Sequence, residues 1–223
     1  MHDSATTRRV RGVFFDLGGV LIDNAGILEI GDWVRTPMSP AEVAHAWLHS
    51  AAARSFEAGG IPAEEFAKAL IDELALSIDP VQFTEAFARW IRGAFPGARS
   101  LVDAVRRQAT VGCISNTNEI HWNRMVRDDE LDRWFDAGIL SHRCGLLKPE
   151  PGIYRFALEQ IGLRAEECLF LDDHEINVEG ARAIGMRAER ARGLAEVRLV
   201  LAEHGISVDG PDTGPPDPTL AGC

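Results

Sequence analysis

Short apolar runs alternate with longer stretches of helical periodicity along most of this chain. Val13-Phe14-Phe15 is an apolar run, β-branched and aromatic, that opens after Gly12 and predicts a strand buried on both faces. Similar runs at Val111–Ile114, near 138–141 and at Leu169–Leu171 predict three more strands, and a fifth strand is expected near 186–190. Helices are expected between and after them, at about 98–108, after His121, at 152–161, around Val178, Ala181 and Ile184, and around Val197, Val200 and Leu201. Regular alternation of this kind predicts an α/β fold, a Rossmann-like doubly wound parallel sheet.

One long segment breaks the alternation. After the first strand the chain does not return to a strand pattern until about Thr110, and the intervening stretch reads as helical. Ser39-Pro40-Ala41-Glu42 combines a capping residue, proline at the first helical position and Glu three residues on, followed by Val43, Trp47 and Ala51 at helical spacing. Phe66, Ala69, Leu70 and Leu74 form a second stripe. Asp79-Pro80-Val81-Gln82 opens a third helix with Phe83, Phe87, Trp90 and Ile91 on one face. The expected organisation is a core of residues 1–21 and 95–206, a small inserted helical cap at 22–94, and a Pro-, Gly- and Asp-rich disordered tail at 207–223. Trp33, Trp47 and Trp90 are open to reading as core or as interface.

Composition narrows the function classes. A net charge of −11 over 223 residues argues against nucleic-acid binding, which needs basic surface. It also means that an anionic substrate needs a local positive focus. The four cysteines, at 113, 144, 168 and 223, carry no Cys-x-x-Cys spacing, and Cys113 and Cys168 read as small buried residues. No apolar stretch is long enough to span a membrane, and Met1 to Arg9 lack the apolar stretch of a signal peptide, so a cytoplasmic protein without membrane association, monomeric or homodimeric, is the expectation.

The candidate chemistry sits where strands end. Open α/β sheets build their sites at the carboxyl ends of strands. Asp16 follows the first strand, and Gly18 and Gly19 leave room there for close backbone approach to a ligand or metal. The strand at 111–114 ends in Ser115-Asn116-Thr117-Asn118, with a hydroxyl and an amide able to hold phosphate oxygens. Lys148 is held extended by Pro149, just before a helix expected to begin at Pro151, and offers a compact positive charge suited to phosphate. The strand at 169–171 ends in Asp172-Asp173. Adjacent acids repel, so this pair calls for a cation, and hard oxygen ligands favour Mg²⁺. Each feature alone has an ordinary reading as a turn, a cap or solvated surface.

In this order the four segments resemble the motifs of the haloacid dehalogenase superfamily, and specifically of its phosphatase-like members. The resemblance covers roughly residues 10–205. Asp16-Leu17-Gly18, Ser115-Asn116-Thr117-Asn118, Phe170-Leu171-Asp172-Asp173 and the segment Phe56-Glu57-Ala58-Gly59-Gly60-Ile61-Pro62-Ala63-Glu64-Glu65-Phe66 are similar to the bacterial α-D-glucose-1-phosphate phosphatase-like branch. The resemblance implies phosphate monoester hydrolysis through an aspartyl-phosphate, with a small phosphorylated metabolite, such as a sugar phosphate, as partner. Asp16 would be the nucleophile, Ser115, Asn116 and Lys148 would hold phosphate oxygens, and the amides around Gly18 and Gly19 would add a backbone nest. Mg²⁺ would lie among Asp16, the Gly18 carbonyl, Asp172 and Asp173, with Asp173 the more direct ligand of the pair.

Gly18 departs from the commonest pattern of that superfamily, which has an acid two residues after the nucleophile to protonate the leaving group. Glycine cannot transfer a proton, and losing such a group typically costs roughly 10²–10⁴-fold. Three resolutions stay open: a substrate with a good leaving group, a stand-in among Asp23, Thr117, His121 and His174, or a catalytically impaired protein that binds a ligand or partner. A haloacid dehalogenase-type activity is a further alternative, disfavoured by the two acids, which would repel a carboxylate substrate. Asn177 is placed to support the acidic pair. The loop near Gly59-Gly60-Ile61 is expected to close over the site and choose the leaving group.

Overall fold

The computed structural model describes residues 9–34 and 36–208. Seven strands appear in chain order: β1 (Gly12–Phe15), β2 (Ile22–Asp23), β3 (Gly93–Ala94), β4 (Thr110–Ser115), β5 (Ala137–Leu140), β6 (Cys168–Asp172) and β7 (Arg187–Arg190). Five of them form one sheet in the order β5-β4-β1-β6-β7, and every pairing in it is parallel. The chain thus winds outward one way from β1 through β4 to β5, and the other way through β6 to β7. Such a reversal of strand order opens a crevice beside the central strand's carboxyl end.

Successive side chains of a buried strand point to opposite faces, and the apolar core divides accordingly. Val13, Phe15, Val111, Cys113, Leu169 and Leu171 enter one cluster, and Phe14, Ile114 and Phe170 enter the other. The first is covered by α6 (Ala98–Arg106), α7 (Glu119–Asp129) and α11 (Gly193–Glu203), and the second by α9 (Pro151–Ile161) and α10 (Glu175–Arg182).

Between β1 and β4 the chain makes α1 (Ile30–Trp33), α2 (Pro40–His49), α3 (Ala51–Glu57), α4 (Ala63–Leu74) and α5 (Pro80–Arg89). The predicted capping box at Ser39 and Glu42 is present, and so is the Asp79 cap of α5. These helices enclose a third apolar cluster, dense in aromatic rings: Phe66 stacks on Phe56 at 4.3 Å, and Phe87 meets Trp90 at 4.9 Å. Trp90 is buried in it, and Trp33 and Trp47 pack against it. The insertion leaves and re-enters the core through an antiparallel ribbon that pairs Ile22 with Ala94 and Asp23 with Gly93. Two residues are too few to show a strand periodicity, so this ribbon has no signature in the sequence.

Several boundaries differ from the expectations. Ala51 does not continue the first helix of the insertion: α2 stops at His49, and Ser50 turns the chain into α3 by accepting from the Ala53 amide. The helix expected after His121 begins earlier, at Glu119, because Asn118 caps it. Ser141, expected as the end of β5, instead starts the short α8 (Ser141–Cys144). Ser207 and Val208, assigned to a disordered tail, are held on the body: Ser207 exchanges hydrogen bonds with the Gln108 side chain, and the Val208 carbonyl accepts from Arg198 at 2.8 Å. The rest of that tail, 209–223, lies outside the described residues. Among the described residues, no helix is long and apolar enough to cross a membrane.

Candidate active site

Three parallel strands deliver the polar cluster to one edge of the sheet. Asp16 immediately follows β1, Ser115 ends β4 and Asp172 ends β6. Lys148 arrives on the segment between α8 and α9 and completes the cluster from beside β4. Its ammonium lies 2.7 Å from Asp16 Oδ1 and 2.6 Å from Asp172 Oδ2. All three side chains are nearly removed from solvent: Lys148 keeps 2%, Asp172 0% and Asp16 10% of side-chain exposure.

Burial sets the electrostatics. Desolvation raises Asp16 to about 7, helped by the like charges of Asp172 and Asp173 and opposed by Lys148. Burial alone would lower the Lys148 ammonium, but the carboxylates of Asp16 and Asp172 outweigh it and hold the group above its ordinary value. Three carboxylates thus share one buried cation from the protein, which leaves the cluster short of positive charge.

The two acids of the pair are not equivalent. Asp172 is saturated with donors: Lys148, the His174 amide at 2.8 Å, and the Asn177 side chain at 3.0 and 3.1 Å to its two oxygens. Asn177 is fixed in turn by Tyr154, whose hydroxyl donates to the Asn177 carbonyl at 2.8 Å. Asp173 is different. Its Oδ1 is buried without a hydrogen-bond partner. The His174 ring nitrogen lies 2.7 Å away, an ion-pair approach without hydrogen-bond alignment. The other face of Asp173 rests on the first loop: a Cβ at Gly19 would collide with Asp173 Oδ2, and Gly19 holds φ +71°, which L side chains rarely adopt. Asp172, Asp173 and His174 offer ligand atoms within 4.8 Å of one another. A cluster of carboxylate oxygens with excess negative charge, Asp173 being held by no main-chain or lysine donor among the described residues, fits a divalent cation.

The remaining predicted residues fall around this centre. Ser115 is buried at the end of β4. The Asn116 side chain is engaged with the main chain of Lys148, accepting from its amide at 2.8 Å and donating to its carbonyl at 3.1 Å. Asn116 therefore positions Lys148, and its side-chain amide is occupied. Gly18 has no Cβ, and the space that one would enter is held by the Asn24 amide, 2.5 Å from the ideal Cβ position.

Two of the suggested stand-ins for the missing acid, Asp23 and His121, have side chains committed elsewhere. Asp23 caps a turn by accepting from the Ala25 amide at 2.9 Å. The Thr117 amide and carbonyl are both bonded to the buried Ser141 hydroxyl, each at 2.9 Å. His121 Nε2 lies 2.8 Å from the Phe87 carbonyl, and its ring stacks on Phe87 at 4.1 Å; burial lowers its pKa to about 4. His121 is thus a neutral strut between α7 and α5. His174 is over half exposed beside Asp173. An open recess lined by Arg11, Arg106 and Asp136 lies at the opposite end of the strands from Asp16 and contains none of these residues.

Sequence reasoning missed three contributors. Ser141 stitches the loop after β4 to the end of β5, Asn24 fills the space beside Gly18, and Glu57, the last residue of α3, stands half-buried within the electrostatic reach of Lys148 and Asp16. A serine and an asparagine in loops carry no signal of their own. Glu57 did have one, as an acid that ends an apolar helix directly before Ala58-Gly59-Gly60.

A doubly wound α/β fold with an Asp–Lys–Asp cluster at the ends of its central strands defines a hydrolase of a particular kind. The haloacid dehalogenase-like hydrolase description matches residues 10–185, and the chain belongs to that family. It is 28% identical over 194 residues to Phosphatase MT3486 of Mycobacterium tuberculosis, covering 77% of this chain and 86% of that protein. It is 26% identical over 215 residues to mouse acyl-CoA dehydrogenase family member 10, covering 92% of this chain but only 18% of that much longer protein. The crystal structure of the HAD family enzyme bt-2542 from Bacteroides thetaiotaomicron, in complex with magnesium and inorganic phosphate, superposes with a TM-score of 0.65 at 23% identity, covering 82% of this chain and 94% of that one.

Proposed function

We propose that this hydrolase is a Mg²⁺-dependent phosphatase of small phosphate monoesters, sugar phosphates among them, acting through a phosphorylated Asp16. The observation that carries this reading is the buried Asp16–Lys148–Asp172 bridge beside Asp173, whose buried Oδ1 is approached by the half-exposed His174 ring. Asp16 attacks phosphorus while Lys148, the Ser115 hydroxyl and the amides near Gly18 and Gly19 receive the phosphoryl oxygens. Asn116 keeps Lys148 in register, and Asn177 and Tyr154 keep Asp172 in place. A cation held by Asp16, the Gly18 carbonyl and Asp173, with Asp172 behind it, would neutralise the repulsion between carboxylate and substrate dianion. The similarity to a protein named a phosphatase, and to a structure holding magnesium and phosphate, supports the same reading. A halocarboxylate would meet three carboxylates against one lysine, so dehalogenation is the poorer fit.

Phosphate release from sugar 1-phosphates, sugar 6-phosphates, acyl phosphates and p-nitrophenyl phosphate, measured with Mg²⁺ and with chelator, tests this. The expected result is turnover that chelation abolishes and that Asp16→Asn lowers by roughly 10⁴-fold or more. Folded, Mg²⁺-supplied protein that releases phosphate from none of them would refute it.

A further inference from the structure

Glycine at position 18 leaves the leaving group without a proton donor on the nucleophile's own loop, and Asn24 fills the space beside it. The insertion reaches this part of the core through α3, which packs on α8 and ends in Glu57. That end is clamped to the core on both sides. One turn before it, Arg54 pairs with Glu150 at 2.8 Å, across the seam. Two residues after it, Gly59 lies against the carbonyl of His142, so closely that a Cβ there would collide, and its φ of +71° also suits only glycine. Glu150 and His142 flank the segment that carries Lys148, so both clamps register α3 against the same piece of the core.

We infer that Glu57, delivered across the seam by α3, is the acid that protonates the leaving-group oxygen in place of the side chain absent at position 18. This rests on the phosphatase reading above. In the first step the Asp16 carboxylate forms a bond to phosphorus, the bond from phosphorus to the leaving oxygen breaks, and the Glu57 proton passes to that oxygen. In the second, water attacks phosphorus of the aspartyl-phosphate, the bond from phosphorus to the Asp16 oxygen breaks, and the Glu57 carboxylate takes the water proton. Inorganic phosphate leaves, and Asp16 and Glu57 return to their starting states.

The surroundings suit the task. The charges that act on Glu57 are Lys148 and Asp16 from the core and Arg54 from its own helix, and the Trp47 side chain supports its ionised form. Desolvation outweighs these and raises the carboxyl to about 7, where it can both give and take a proton near neutrality. The acid belongs to the element that would also contact the leaving group, so protonation depends on closure of the insertion over the core.

The test compares wild type with Glu57→Gln on an alkyl phosphate, such as a hexose 6-phosphate, and on p-nitrophenyl phosphate, whose leaving group needs little protonation. The ratio of kcat/KM for alkyl over aryl substrate is expected to fall by roughly 10²-fold or more in the variant. Ionisation of the Asp16 nucleophile affects both substrates alike, so the wild-type alkyl-over-aryl ratio is expected to fall as pH rises through about 7, where Glu57 loses its proton. An unchanged ratio in Glu57→Gln, or a wild-type ratio flat through that range, overturns the assignment while leaving the phosphatase reading intact. A wild type inactive on both substrates in Mg²⁺ would remove both together.

Discussion

The two acids at the end of β6 look alike in the sequence and differ in every contact. Asp172 is held by Lys148, the His174 amide and Asn177, whereas the buried Oδ1 of Asp173 is approached, among the described residues, by the His174 ring alone. The sequence could order them only through a family resemblance, because which of two adjacent side chains turns inward depends on where the strand ends. Asn177 was legible as a helper because it lies one helical turn beyond the pair, and its two contacts to Asp172 bear that out. Asn116 was legible as a site residue, but its latch onto Lys148 spans 32 residues and has no local signature. Replacing Asn177 by Ala strips both Asp172 oxygens of their amide donor. It should weaken Mg²⁺ binding by roughly 10–100-fold, measured by calorimetric titration, with little change in fold. An unaltered affinity would show that Asp172 needs no such support.

Among elements, the strands were the easiest to foresee. A strand buried on both faces must be largely apolar, and β1, β4 and β6 each carry such a run, with a polar residue directly after β1 and at the end of β4 and β6. The insertion was harder. Its helical stripes were visible, but not the break between α2 and α3, because Ala51 continues the apolar spacing of the helix before it. The break is made by Ser50 with Glu73 of α4. Glu73 accepts from the Ser50 hydroxyl at 2.8 Å and from the Ala51 and Ala52 amides at 3.0 and 3.1 Å, which caps the start of α3 from a neighbouring helix. Slight burial raises the Glu73 pKa, but these three donors prevail and lower it below the ordinary 4.5. A carboxylate whose folded pKa is depressed stabilises the fold above its unfolded value and loses that contribution as pH falls through the folded one. Glu73→Ala should therefore cost about 1 kcal/mol at neutral pH in urea unfolding. The gap between variant and wild type should close on acidification below about 4.5. A gap constant down to strongly acidic pH would show that the loss is packing rather than charge.

At the scale of the whole molecule, the proposed function would depend on the seam between the helical insertion and the sheet core. The seam is polar and specific. His121 and Arg124 of α7 reach the Phe87 and Ala88 carbonyls at 2.8 and 3.0 Å, Arg54 reaches Glu150, and Gly59 lies on His142. None of these long-range pairs follows from periodicity, which is why the sequence yielded the architecture and the strand-end residues but not Glu57. Against a net charge of −11, the buried Lys148, together with the proposed cation, would be the place where a phosphorylated anion is held. The central claim is that Asp16 carries the phosphoryl group between two chemical steps. Its most direct test is rapid acid quenching of the Mg²⁺-loaded enzyme during turnover, followed by intact-mass and peptide analysis. One added phosphoryl group is expected, located on Asp16 and absent from the Asp16→Asn variant. Turnover that persists in Asp16→Asn, with the wild-type Asp16 unmodified throughout, would contradict it.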